Sequence, residues 1–101
     1  MKAFDTLNFP SDRVVRMICS EYQITTEEFE SSFRYDTLPE ARQLYCLALQ
    51  RLGAKNKQIC TLTGYSPARV TLTIQSAERL FKEIPYFKER LQGIISYINR
   101  L

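Results

Sequence analysis

The stretch KNKQICTLTGYSPARVTLTIQSAERLF, residues 55–81, reads as a short helix, a tight turn and a longer helix. In the first helix, Asn56 to Thr63, Ile59 and Leu62 are expected to face a core, and Cys60 is small enough to let a second helix approach. Gly64 supplies the positive φ that such a turn commonly needs. Ser66 is placed to cap the next helix, Pro67 occupies its first position, and Val70, Ile74 and Ala77 return to the core at three-to-four spacing as far as about Lys82. Residues 56–82 therefore read as a helix-turn-helix.

Working outward, strand signals are scarce and helix punctuation recurs. Ser11 is positioned to cap a helix running to about Tyr22, with Val14, Val15, Ile18, Cys19 and Tyr22 on its apolar stripe. Thr25 with Glu28 three residues on forms a capping-box pattern opening a second helix that ends near Ser31. Pro39 suits the first turn of a third helix to about Leu52. Its apolar residues cover more than one face, marking it as the central core helix, and Gly53 can stop it in the left-handed conformation. A sixth helix runs from Pro85 to the end, its buried stripe made of Phe87, Leu91, Ile94, Ile95 and Ile98. The expected fold is all-α, about six helices in one domain, with residues 1–10 as a loose N-terminal extension.

Composition narrows the function. The 101 residues are 45% apolar and 25% charged, with twelve percent aromatic, which is the profile of a chain that folds on its own. No apolar run approaches the length of a membrane span, and the N-terminus MKAFDTLNFPSD lacks the pattern of a signal peptide, so a cytoplasmic location is expected. Cys19, Cys46 and Cys60 sit in apolar helical patterns and read as buried thiols rather than disulfides. With no histidine, no CxxC pair, no GxxxxGK[ST] loop and no nucleophile elbow, no metal, cofactor or catalytic role is expected. Glu27 and Glu28 lie about 100° apart on a helix and do not converge; they suit a helix N-terminus.

Charge is distributed unevenly. Residues 1–40 hold four basic side chains against eight acidic ones, and residues 41–101 hold ten against three, within a net charge of +3. The basic half is where phosphate contacts are expected. Ser66, Ala68, Arg69, Leu72, Gln75, Ser76 and Arg79 fall on or near the outward face of the fifth helix. There Arg69 suits guanine edges or a phosphate, Gln75 suits adenine, and the Thr71 or Thr73 hydroxyl or methyl suits backbone or thymine. Lys55 and Lys57, with free N–H groups at the helix starts, are placed for phosphates.

Residues 14–99 resemble the C-terminal DNA-binding domain of the bacterial replication initiator DnaA, a Trp-repressor-like helical fold. The resemblance rests on ICSEYQITTEEFESSFR, on EARQLYCLALQRL and on KQICTLTGYSPARVTLTIQSAERL, in that order and spacing. It implies double-stranded DNA as the partner. Gly64 and Val70 match the family's scaffold, whereas Tyr65, Ser66, Pro67 and Ala68 stand where the family reads its DNA box, which implies a different or relaxed target. The family's basic loop before the third helix is reduced here to Arg34, and its ATPase module has no counterpart in the chain. The helix-turn-helix by itself is also similar, over a shorter run, to region four of sigma factors and to response-regulator output domains.

The expected DNA-contact set is thus Arg34, Lys55, Lys57, Tyr65, Ser66, Ala68, Arg69, Thr71, Leu72, Gln75 and Arg79, on a regulatory protein that acts alone, as a homodimer or with a protein partner. The competing expectation is a protein-interaction module that keeps the scaffold without reading DNA, with Tyr65, Leu72 and the acidic first third as its contact surface.

Overall fold

The computed structural model describes residues 11–100, and the expectation for residues 1–10 lies outside them. Among the described residues, six helices follow one another without an intervening strand: α1 (Ser11–Tyr22), α2 (Thr26–Tyr35), α3 (Pro39–Arg51), α4 (Asn56–Thr63), α5 (Pro67–Glu83) and α6 (Pro85–Asn99). The all-α expectation holds, and α2, α3, α5 and α6 start where the capping residue or proline puts them, with α4 starting at Asn56 as its periodicity gives. Thr25 accepts from the Glu28 N–H while Glu28 accepts from the Thr25 N–H, completing the capping box. The Ser66 hydroxyl accepts from the Arg69 N–H at 3.2 Å. Ile84, extended before Pro85, closes α5 and opens α6 because the proline ring disfavours a helical conformation in the residue before it.

α2 corrects one expectation, since it continues to Tyr35 instead of ending near Ser31. Serine side chains such as those of Ser31 and Ser32 compete for backbone groups and disfavour a helix interior. Ser32 instead turns that competition inward: buried at the helix interface, its hydroxyl donates to the Phe29 carbonyl and so needs no other partner. The helix ends at Asp36, which adopts the left-handed conformation (φ 57°, ψ 37°) and donates its N–H to the Ser32 carbonyl. Leu38, also left-handed, completes the turn into α3.

α3 is the core. It packs against each of the other five helices, and Ala41, Leu44, Tyr45, Cys46, Leu47, Ala48 and Leu49 are all buried. Burial on every side explains why its apolar residues show no single stripe. Phe29 meets Tyr45 edge to face at a 5.3 Å centroid separation, and Phe33 meets both rings. On the opposite side Glu40 gathers α1, α3 and α6. It accepts from the hydroxyls of Tyr22 and of Tyr86, the latter at 2.6 Å, and from Arg90 at 3.4 Å. The Arg90 guanidinium lies over the Tyr22 and Tyr86 rings and reaches Glu21. Burial, with Glu40 as acceptor, raises the Tyr22 hydroxyl's pKa, so it stays a donor.

Cys19 and Cys46 are buried free thiols, as expected; burial pushes Cys46 up to about 12. Cys60 is only half-buried and points its thiol at the Asn56 side chain, 3.4 Å away. Leu62, expected in the core, is 43% exposed, and Thr63 takes the inward position beside Ile59. Thr63 is tolerated there because its hydroxyl donates to the Ile59 carbonyl at 2.8 Å and accepts from the Tyr65 N–H at 3.2 Å.

Candidate functional site

α4 and α5 are joined by Gly64, Tyr65 and Ser66. Gly64 has φ +78° and donates its N–H to the Cys60 carbonyl, so α4 ends in a left-handed cap that glycine adopts without strain. The turn is short enough that α5 packs directly on α4 as well as on α3. Asn56, the first residue of α4, donates to the Thr71 hydroxyl at 3.3 Å, and that hydroxyl donates to the Pro67 carbonyl at 3.1 Å. The starts of the two helices are thereby tied together.

Val70, Ile74 and Ala77 are buried as expected, which turns Ala68, Leu72, Gln75 and Arg79 to solvent along the centre of the opposite face. Leu72, at 63% exposed, is the largest apolar group on that stripe. Ser66, Thr71, Lys55 and Lys57 are exposed around the start of the pair. Ser76 and Thr73, half-buried, turn toward α3, where with Pro39, Arg42, Gln43, Arg69 and Leu72 they line a groove of about 240 Å³. Arg79 lies ten residues beyond Arg69 along the helix, about 15 Å at 1.5 Å per residue. Arg34 is exposed on α2, leans over the Tyr35 ring, 5.9 Å from its centroid, and shares a surface pocket with Leu62 and Thr63 at the end of α4.

Tyr65 corrects the sequence reading. Expected at the tip of the turn as an outward anchor, it is 7% exposed, with its ring against Phe33 at 5.4 Å. Its hydroxyl accepts from Arg42 Nη1 at 2.7 Å. Arg42, itself buried on α3, also donates from Nε to the Thr37 carbonyl at 2.6 Å and reaches Asp36 at 3.5 Å. A buried guanidinium needs acceptors, and the turn between α4 and α5 supplies one of them.

Arg69 departs from expectation in its partners. It is exposed but flanks the stripe on the side of the α2–α3 turn. Its guanidinium lies 4.2 Å over the Tyr65 ring, and Nη2 donates to Asp36 Oδ1. The bond from Arg69 holds the Asp36 carboxyl below the usual carboxylate range. Neither Asp36 nor Arg42 belonged to the expected site. An arginine next to the buried Ala41 and two residues before the buried Leu44, in the central core helix, is a legible sign of a buried polar contact. Nothing local ties Asp36 to the fifth helix, since Arg69 lies 33 residues away in the chain.

Among the described residues, no cluster of three or more histidine, cysteine, aspartate or glutamate side chains is arranged to hold a metal ion. Among those residues, no helix is long and apolar enough to cross a membrane. Comparison of the chain with family models, curated proteins and solved structures found no match.

Proposed function

We propose that this protein binds double-stranded DNA through α4 and α5, used as a helix-turn-helix with α5 entering the major groove, and that its role is regulatory. The observation that carries this reading is the charge and exposure of one continuous surface. Residues 55–77 contain no acidic side chain, and Lys55, Lys57, Ser66, Arg69, Thr71 and Gln75 within them are all exposed. Phosphate contacts need positive charge, which Lys55 and Lys57 supply without an acidic residue near them in the chain and Arg69 supplies while paired with Asp36, and base edges need donors and acceptors on a helix free to enter the groove. The resemblance of residues 14–99 to the DNA-binding domain of the initiator DnaA supports the same reading.

Within it, Lys55 and Lys57 hold phosphates at the start of α4, Gln75 and Arg79 lie along the groove, and Ala68 lets α5 approach closely. Tyr65 is a strut beneath the contact surface. A single α5 reads only a few base pairs, so specific binding is expected from a homodimer or with a protein partner. Exposure of Leu72 and Leu62 favours a second reading, in which the same surface is a protein-interaction module.

The deciding experiment is a fluorescence-anisotropy titration of random-sequence duplex at two salt concentrations, with wild type beside the Lys57→Ala, Arg69→Ala double variant. Saturable binding that weakens with salt and is lost in the variant is expected. Absence of binding at low salt, or equal binding by the variant, would remove the DNA reading and leave the protein-interaction one.

A further inference from the structure

We propose that Asp36 is a built-in counter-ion that Arg69 must release before it can hold a phosphate, so that this one carboxylate sets how tightly the α4–α5 surface binds nucleic acid. The inference rests on the DNA-binding reading above and names what regulates that surface.

Four contacts define the device. Asp36 Oδ1 accepts from Arg69 Nη2 and lies 3.5 Å from Arg42 Nη1, so one carboxylate oxygen serves two guanidiniums. The Tyr65 ring backs Arg69 at 4.2 Å, and Arg42 fixes that ring through its hydroxyl at 2.7 Å. Asp36 itself is held at the end of α2 in a left-handed conformation, which aspartate and asparagine tolerate better than most residues. The carboxylate is therefore aimed by the backbone at the first turn of α5, and the arginine is held over the Tyr65 ring where that carboxylate can reach it.

A carboxylate and a phosphodiester make the same demand on a guanidinium: two oxygens in a plane and one negative charge. Asp36 thus occupies on Arg69 the place of a phosphate, and its charge repels any phosphate brought close. Both side chains are accessible, Asp36 at 64% and Arg69 at 44%, so the pair is weak enough to exchange. The rest of residues 55–77 is free of acidic side chains, which makes Asp36 a negative charge brought to this surface from a different helix.

Asparagine keeps the shape and the backbone preference of Asp36 and removes the charge, so Asp36→Asn separates the brake from the fold. Relative to wild type, Asp36→Asn is expected to bind random-sequence duplex about fivefold tighter at low salt, with a salt dependence steeper by about one phosphate contact. In an Arg69→Ala background the same substitution is expected to give no such gain. A second readout does not need DNA: the Arg69 Nε–H resonance, identified by its loss in Arg69→Ala, followed by NMR during titration with inorganic phosphate. Its midpoint is expected to fall about fivefold in Asp36→Asn. Equal phosphate midpoints in the two proteins would overturn the proposal, as would a gain that survives Arg69→Ala. Loss of duplex binding by every protein, with the phosphate midpoints still different, would overturn the DNA reading and leave the counter-ion in place.

Discussion

Replacing Tyr65 by Phe removes one oxygen and leaves a ring of nearly the same volume against Phe33 and beneath Arg69. What changes is Arg42. Arg42 is 8% exposed, and its Nη1 loses the acceptor 2.7 Å away. Hydrogen bonds to charged groups contribute about 1.5–3 kcal/mol, and a buried donor left without an acceptor costs a similar amount. Arg42 keeps the Thr37 carbonyl at 2.6 Å and Asp36 at 3.5 Å, which puts the expected loss near the lower end, about 1.5 kcal/mol. For a domain of this size that corresponds to a fall in Tm of roughly 6–12 °C. Urea denaturation followed by circular dichroism measures the loss directly, and an unchanged m-value would show that only stability moved. A change below about 0.3 kcal/mol, within the scatter of ordinary surface substitutions, would refute the argument. It would mean that the hydroxyl reaches solvent, so that Tyr65 belongs to the contact surface after all.

Two further outcomes follow from the same geometry. Gly64→Ala places a methyl group where no atom lies within 4 Å, so its cost is backbone strain alone at φ +78°, about 1–2 kcal/mol by denaturation; a loss above about 3 kcal/mol would show that the turn packs against something. The Asp36–Arg69 pair carries a pH dependence whose sign is determined by the direction of the shift. The folded carboxyl titrates below its unfolded value of about 3.9, so the pair stabilises the fold above that value and loses its contribution as pH falls through the folded one. The difference in Tm between wild type and Asp36→Asn should therefore be constant from about pH 5 to 8 and shrink below about pH 4; a difference that persists at pH 2 would show that the charge is not what Asp36 contributes.

Much of the fold was legible because its signals are local. Pro39, Pro67 and Pro85 open helices where their missing N–H groups are unneeded. Gly64 marks a left-handed residue, and Thr25 with Glu28 satisfies two backbone donors within one turn. Each of these depends on residues a few positions apart. The end of α2 was not legible in the same way, since the helix continues past Ser31 where Ser32 is buried and its hydroxyl donates to the Phe29 carbonyl. The expected core position of Leu62, three residues after Ile59, goes instead to Thr63, four residues after it, where two backbone partners satisfy the Thr63 hydroxyl.

The candidate surface divides in the same way. The sequence alone determined that α5 carries Ala68, Leu72, Gln75 and Arg79 on the side opposite Val70, because a helix period of 3.6 residues sorts side chains without knowledge of their neighbours. It also determined that Lys55 and Lys57 lie free of acidic neighbours at the start of α4. Only the tertiary structure decided that Tyr65 turns inward to Arg42 and that Arg69 turns aside to Asp36. Those partners lie 23 and 33 residues away in the chain, and a hydrogen bond between distant segments exists only once packing on α3 has brought α2 and α5 together.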